Sequence, residues 1–322
     1  MITQSPESEM PEPYQTYIKQ RSESIAEVIR KIVGETDVQL CPRAISPDEC
    51  IYGDEGLVYG VVVNLQEYGY KGVLYSGGFN KAYAKGMVTS SLDQAETYLS
   101  QELSSGNRVR MKDPKESDGH GQYIAETIDQ GLGIFDKINS YQPFGVVLMP
   151  HLNELLHRVS VGRINLGRFG VYSYFGTEDN IIHDGQNVYG GTSIGLFANS
   201  YAGRSLVVRK LEIPEHLVNA GLAAIEHYHQ IASTIGRVSV DVIEGITDNG
   251  SRLTSVVDIT PRVGGVTPAE ILAIGEVGDN RESICFSTSQ LIYNPEYIPK
   301  TGKNFIETNT LIINARIDEV VL

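Results

Sequence analysis

The chain has 322 residues, 41% of them hydrophobic and 20% charged, the balance of a water-soluble globular protein of one large or two to three small domains. Its formal net charge of −14, from 26 Lys and Arg against 40 Asp and Glu, argues against a nucleic-acid backbone as the main partner, since phosphate contacts need clustered cations. A single nucleotide held in a local basic pocket remains open. No stretch reaches the roughly 18 apolar residues that a membrane span needs. The opening Met-Ile-Thr-Gln-Ser-Pro-Glu is polar, without the apolar core of a secretion signal, so a cytoplasmic protein, or one delivered by a route that uses no N-terminal signal, is expected. Cys41, Cys50 and Cys285 show neither a CxxC nor a histidine at zinc spacing, which disfavours a zinc site, and a Cys41–Cys50 disulfide is not expected in that compartment.

Residues 1–13 are rich in Pro, Glu and Ser and read as loose. Ile18, Ile25, Val28, Ile29 and Ile32 recur at helical steps and predict a helix over 14–33. Short buried strands are expected at Leu57-Val-Tyr-Gly-Val-Val-Val and Gly72-Val-Leu-Tyr. A capped amphipathic helix follows over 91–104, with Gly106 just past its end. Strand Arg108–Lys112, a polar glycine loop over 113–122, a strand near Tyr123 and a helix over 127–138 come next. Phe144–Met149 reads as another buried strand. From 155 to 210 the alternation predicts mainly β structure, including Arg158–Ile164, Phe169–Phe175 and Ser205-Leu-Val-Val-Arg. A helix over 215–235, a strand pair around residue 250, a helix over 267–275 and tail strands near Ile284 and Leu311 complete the chain. Strands and helices mixed in this order predict an α+β or α/β protein.

The strand pair carries the chemistry. Arg237-Val-Ser-Val-Asp241 and Ser255-Val-Val-Asp258-Ile-Thr260-Pro-Arg262 flank the turn Thr247-Asp-Asn-Gly250. In a strand, residues two apart share a face, so Asp258 and Thr260 point the same way, and Arg262 follows if the strand continues past Pro261. Asp241 on the neighbouring strand can face them. Two carboxylates and a polar oxygen suit Mg²⁺, which binds hard oxygens and substrate phosphates. The competing reading is a solvent-facing hairpin with an Arg–Asp pair. In the loop 113–122, Gly119 and Gly121 let the backbone approach an anion, and Lys112 can add a charge on a phosphate; an ordinary polar hairpin fits the same residues. Val188–Gly195 reads as a close-approach loop or a tight turn. Glu154 and Arg158 read as an ion pair, and the scattered histidines form no catalytic triad.

Together these pieces resemble the ATP-grasp superfamily. More narrowly, Ser160-Val-Gly, Tyr174-Phe-Gly-Thr, Asn187-Val-Tyr-Gly-Gly-Thr-Ser and Arg262-Val-Gly-Gly-Val-Thr-Pro-Ala-Glu270 resemble an uncharacterised ATP-grasp-like family. The resemblance covers about residues 80–276 and implies an α+β fold in which two α+β subdomains grip a nucleotide. A small α/β pre-ATP-grasp domain would occupy 1–80, the lid subdomain 81–152 and the sheet subdomain 153–322. It implies that Lys112, with Lys81 or Lys85, contacts the phosphates of ATP, and that Gly119, His120 and Gly121 lie over them. Met149, His151 and Leu152 would meet the adenine edge. Asp241, Asp258 and Thr260 would hold Mg²⁺, and Arg262, with Lys112, would steady the transferring group. Asp258 stands where the superfamily usually has Glu, Thr260 where it has Asn, and Met149-Pro150-His151 where a hinge Glu is common.

The activity so implied is ATP-dependent ligation of an unidentified small acid or peptide to an amine (or a thiol) through an acyl-phosphate, with release of ADP. The alternatives are a non-catalytic nucleotide-binding protein on a degenerate scaffold, or a small-metabolite kinase. A homodimer is the prior for such an enzyme, with the tail at 300–322 as a candidate interface.

Overall fold

The computed structural model describes residues 27, 38–40, 57–59, 86–114, 121–140, 145–166, 170–183, 186–198, 200–231, 237–261, 264–278, 280, 282–293, 296–297, 299–307 and 311–322. Of the helix expected over 14–33 only Glu27, which is helical, is among the described residues; the strand at Gly72, Cys41 and Cys50 lie outside them. Strands β1 (Val38–Leu40) and β2 (Leu57–Tyr59) form a parallel pair.

The next sheet is a small antiparallel one. It is built from β3 (Met87–Thr89), β4 (Val109–Lys112), β5 (Gln122–Ala125) and β6 (Val146–Pro150), in the order β3-β6-β4-β5. Helices α1 (Leu92–Ser104) and α2 (Ile128–Asn139) start where capping chemistry predicts. The Ser91 side chain accepts from the Gln94 N–H, and Thr127 Oγ1 accepts from the Gln130 N–H at 3.2 Å. Gly106, just past α1, takes φ +82, the left-handed conformation that ends helices. Ala95, Leu99, Phe135 and Ile138 bury the inner stripes of both helices against Val109, Met111 and Leu148. Full burial of a side chain such as Leu99 or Phe135 contributes about 1.5–3 kcal/mol.

One residue, His151, separates β6 from β7 (Leu152–Asn165), the first strand of an eight-stranded antiparallel sheet. Its order is β11-β10-β7-β8-β9-β12-β14-β13. The other strands are β8 (Val171–His183), β9 (Gln186–Ala198), β10 (Arg237–Thr247), β11 (Arg252–Thr260), β12 (Ile284–Ile292), β13 (Lys303–Glu307) and β14 (Ile312–Val321). Helices α3 (Tyr201–Lys210) and α4 (Glu215–Ile231) cover one face over Val159, Val161, Val240 and Val242. Helix α5 (Thr267–Val277) covers the other over Ile164, Tyr172, Tyr174 and Leu196.

Two expectations are corrected and one strand is added. Ser205-Leu-Val-Val-Arg is not a strand but the second half of α3. Ser200 caps that helix by accepting from the Gly203 N–H at 3.1 Å. Val207 is fully buried against Gly195, where any Cβ would stand 2.7 Å from it. Tertiary packing thus overrides the β propensity of paired valines. Val188–Gly195 is neither a loop nor a turn but the body of β9. Its glycines serve close contacts within and above the sheet, as at Gly195. Strand β13 was not anticipated; it pairs only with β14 at the sheet edge.

The two sheets meet at the β10–β11 hairpin. Asp248 in its turn accepts from the Arg108 backbone N–H at 2.9 Å, from Nε at 3.0 Å and from Nη2 at 2.8 Å. Asn249 N–H donates to Asn107 Oδ1 at 3.1 Å. Val147 and Met149 of the small sheet pack on Leu253 of β11.

Candidate functional site

Alternation along β7 and β10 decides which side chains meet. Val159, Val161, Val240 and Val242 point into the core under α4, so Arg158, Ser160, Ser239 and Asp241 point to the opposite face. Asp241 is directly opposite Asp258, and Ser239 directly opposite Thr260, across the β10–β11 ladder. Directly opposed residues share a face. The expected grouping of Asp241, Asp258 and Thr260 is therefore present. A bulge between Asp241 and Val242 absorbs Val257 and keeps Val256 and Ile259 both in the α4-side core.

Two further residues join this face. Glu178 on β8 lies in ion-pair contact with the Arg158 guanidinium, and its side chain is 4% exposed. Arg158 Nη1 also donates to Asn180 Oδ1 at 2.9 Å. The expected Glu154–Arg158 pair is thus replaced by Glu178–Arg158. Burial pushes the Asp241 carboxyl well above the usual carboxylate range, and repulsion from Glu178 and Asp258 adds to it while Arg158 opposes it. The Tyr189 phenol is raised well above its usual range, again chiefly by burial and then by Glu178. Tyr189 is hydrogen-bonded to Thr192 and packs over Gly265, where a Cβ would stand 2.5 Å from its ring. A glycine at 265 is needed for that contact.

Below the carboxylates lies a buried ion pair. Arg237 and Glu270 have fully buried side chains in direct contact, with Nε to Oε2 at 2.7 Å. Arg237 Nη1 donates to the Thr260 carbonyl at 2.9 Å, and Nη2 to Ser239 Oγ at 3.1 Å and to Tyr174 OH at 3.3 Å. The pair ties the start of β10 and the end of β11 to α5. Strand β11 ends at Thr260, and Arg262 lies outside the described residues, so its expected place on the strand face is not part of the described site.

On the small sheet, Lys112 is directly opposite Val147, and Arg110 directly opposite Met149. All four therefore share the face whose apolar members pack on β11. Arg110 Nη1 donates to Gln122 Oε1 at 2.9 Å. Gly121 adopts φ +65 and its carbonyl accepts from the Asp113 N–H at 3.0 Å, closing the β4–β5 hairpin. Gly119, His120, Lys81 and Lys85 lie outside the described residues. His151 is buried: its N–H donates to the Arg108 carbonyl at 2.8 Å and Nδ1 sits 3.2 Å from Arg110 Nη2. Burial, then the nearby Arg110 and Arg108, lower its pKa. The neutral ring accepts from Arg110. Leu152 packs beside Val147 and Met149.

An all-oxygen set of Asp241, Asp258 and Glu178 suits a hard divalent cation. Among the described residues, no three His, Cys, Asp or Glu side chains stand in a metal-holding arrangement, and Glu178 is paired with Arg158. Glu178 and Arg158 carried no local sequence signal. Each is one charged residue in an alternating strand, and only the strand order brings them to Asp241.

The described geometry can be set beside known proteins. A family model described as "Protein of unknown function (DUF3182)" matches residues 75–303. The chain belongs to the DUF3182 family. No curated protein matches the DUF3182 chain. Among solved structures, the biotin carboxylase domain dimer of Hydrogenobacter thermophilus 2-oxoglutarate carboxylase, solved with MgADP, ADP and bicarbonate, is similar over 95% of this chain and 74% of that one. The TM-score is 0.53 and the identity 11%. N5-carboxyaminoimidazole synthase of Aspergillus clavatus, solved with ADP and 5-aminoimidazole ribonucleotide, matches over 76% of this chain and 61% of its own, with TM-score 0.42 and 11% identity. D-alanyl-alanine synthetase A of Vibrio cholerae matches over 61% and 55%, with TM-score 0.34 and 12% identity. The DUF3182 chain thus spans less than two thirds of the length of the latter two. The α+β fold is that of the ATP-grasp proteins, as the sequence resemblance implied. Among the described residues, no helix is long and apolar enough to cross a membrane.

Proposed function

We propose that this protein is an ATP-dependent ligase that joins a small carboxylic acid to an amine through an acyl-phosphate. The observation that carries the reading is the direct opposition of Asp241 and Asp258 on the large sheet. Their hairpin is bolted through Asp248 to the small sheet whose inner face bears Lys112 and Arg110. Carboxylates on one wall and cations on the other are what a metal-bound polyphosphate needs.

In this reading Lys112, with Lys81 or Lys85, binds the phosphates of ATP. Gly119, His120 and Gly121 lie over them, and Met149, His151 and Leu152 border the adenine. Asp241, Asp258 and Thr260 would hold Mg²⁺, whose charge would neutralise the phosphate oxygens. A carboxylate oxygen of the acid attacks the γ-phosphorus, the bond to the β-phosphate oxygen breaks, and ADP leaves. Lys112 and Arg262 offset the charge on the transferring group. The amine then attacks the acyl carbon, the C–O bond to phosphate breaks, and the amine nitrogen gives up a proton as inorganic phosphate departs. Closure of the small sheet over the site excludes water, which would otherwise hydrolyse the acyl-phosphate.

Calorimetric titration with a non-hydrolysable ATP analogue tests this. Binding should require Mg²⁺ and weaken about tenfold or more in Asp258→Asn, the range for loss of a metal contact. The absence of any binding, or equal binding by Asp258→Asn, removes the reading. The contact between Arg158 and Glu178, together with Thr260 in place of an amide, favours a second reading, a nucleotide-binding protein without turnover. Nucleotide binding without ADP release across a panel of acids and amines would select it.

A further inference from the structure

Strands β7 and β8 are neighbours in the large sheet, yet they pair over only about half their length. Their ladder runs from Asn165 opposite Val171 to Val159 opposite Thr177 and stops. Beyond it β7 stays on β10, with His157 opposite Glu244 and Leu155 opposite Gly245. Strand β8 stays on β9, with Asn180 opposite Tyr189 and Ile181 opposite Val188. The sheet is therefore split, with one lip at 153–157 and the other at 179–182. Arg158 bridges the base of the split, to Glu178 and, through Nη1, to Asn180 at 2.9 Å. Beyond that bridge, among the described residues, no hydrogen bond or ion pair joins the two lips.

Bulges set the lips apart. The β7–β10 register shifts between Glu244 and Gly245, which leaves Leu156 without an opposite residue. The β8–β9 register shifts between Asp179 and Asn180, which leaves out Gly190; a Cβ there would stand 2.7 Å from the Ile181 side chain. A bulge bends its strand and can end pairing, and such bends recur beside functional sites.

Two facing strand edges with open main-chain donors and acceptors match an extended main chain, which carries hydrogen-bonding groups on both of its sides. The lips are thinly protected as free edges. Each carries one acid, Glu154 or Asp179, and neither carries a Lys or a Pro. Among the described residues ten large hydrophobic side chains are exposed, and four of them are Leu155, Leu156, Ile181 and Ile182. Exposed apolar residues clustered in this way mark an interaction surface. Ile181 and Ile182 also line a cleft of about 420 Å³ with Leu291, Ile292 and the stacked rings of His183 and Tyr293, whose centroids are 4.5 Å apart. That volume is within the range of ligand-binding clefts.

We infer that the split binds an extended, apolar peptide segment as an added strand, hydrogen-bonded to both lips, with an aromatic or large aliphatic side chain in the cleft. The base of the split borders the face that bears Asp241, since Arg158 and Asp241 share that face. A peptide seated there is presented to the proposed reaction site. Its role as the acid that is activated rests on the ligase reading above; its binding does not.

Fluorescence anisotropy of the full chain, without nucleotide or metal, tests this. The probe is a labelled eight-residue peptide of alternating valine and threonine with one central phenylalanine. Saturable binding is expected. Methylation of alternate amide nitrogens leaves the side chains as they are and removes the donors that face one lip. At about two- to tenfold for each hydrogen bond lost, affinity should fall about tenfold or more. Leu155→Lys and Ile182→Lys should each weaken binding about tenfold, the equivalent of one buried aliphatic side chain. Hydrogen exchange of the complex should slow in both 153–157 and 179–182. No binding by wild type, as when a second copy or another segment of the chain fills the split, overturns the inference. Equal affinity for the methylated peptide overturns it too, since side-chain adhesion alone would then explain the binding, and so does protection confined to one lip. These readouts need no variant, so they decide even if Ile182→Lys fails to fold. Because nucleotide and metal are left out, a negative result leaves the proposed function standing, and loss of nucleotide binding elsewhere leaves this inference standing.

Discussion

Replacing Glu270 by Gln should unfold this protein much more readily, and the structure sets the size of the effect. Arg237 and Glu270 are both fully buried. The guanidinium reaches the carboxylate through Nε and Nη2 and also meets the Thr260 carbonyl, Ser239 and Tyr174. In Glu270→Gln the amide oxygen can accept one of those bonds, but its NH₂ faces a donor, and the positive charge of Arg237 stays in a dry interior. Breaking a buried pair by removing one partner costs about 3–5 kcal/mol, because the remaining charge is uncompensated. For a chain of this size each kcal/mol lowers the melting temperature by about 2 °C, so a drop of about 6–10 °C is expected. Thermal unfolding by circular dichroism at neutral pH measures it. The double variant Arg237→Met, Glu270→Met, which fills the same space with apolar atoms, should recover most of the loss. A Glu270→Gln protein melting within about 2 °C of wild type would refute the reasoning. So would a double variant less stable than the single one, since the loss would then come from packing rather than from an unpaired charge.

Glu244 supports a pH prediction. It is buried and bound by Arg252 through Nε at 2.8 Å and Nη2 at 2.7 Å, and by His216 at 2.8 Å. The hydrogen bonds from Arg252, then those from His216, hold its carboxyl down at about 2. Because the folded value is the lower one, the stabilisation is fully present above the ordinary range near 4.5 and disappears as the pH falls through 2. Its size is about 1–3 kcal/mol, reduced by solvent screening of the exposed Arg252. Unfolding free energies between these limits should fall more steeply for wild type than for Glu244→Gln; parallel slopes would exclude Glu244 as the source. Gly162→Ala is expected to cost about 2–3 kcal/mol in urea unfolding, because its Cβ would fall inside the ring of the fully buried Tyr174. A neutral result would mean that the ring can move aside.

Much was legible in order along the chain. The caps at Ser91 and Thr127, the left-handed Gly106 and the hairpin around Gly250 are local devices whose partners lie within a few residues. The pairing of Asp241 with Asp258 was readable for the same reason: a short turn fixes the register of the two strands it joins. Where the partner is distant, the local pattern misled. Ser205-Leu-Val-Val-Arg has strand composition, yet Gly195 on a neighbouring strand makes the room that lets Val207 dock as a helical residue. Val188–Gly195 has turn composition, yet it is held extended by β8 and β12 on either side.

By itself the sequence determined most of the elements, the metal-suited hairpin and the resemblance to ATP-grasp proteins, because each depends on contacts close along the chain or on short residue patterns. Only the tertiary structure decided that Glu178 and Arg158 belong to the same face as Asp241. Strand β7 lies between β10 and β8 in the sheet, although β8 follows β7 directly and β10 comes only after two helices. That order is set by burying Val159, Val161, Val240 and Val242 together under α4. The charged residues between them are carried to the opposite face by the two-residue period of the strand, and no local pattern announces where they will meet.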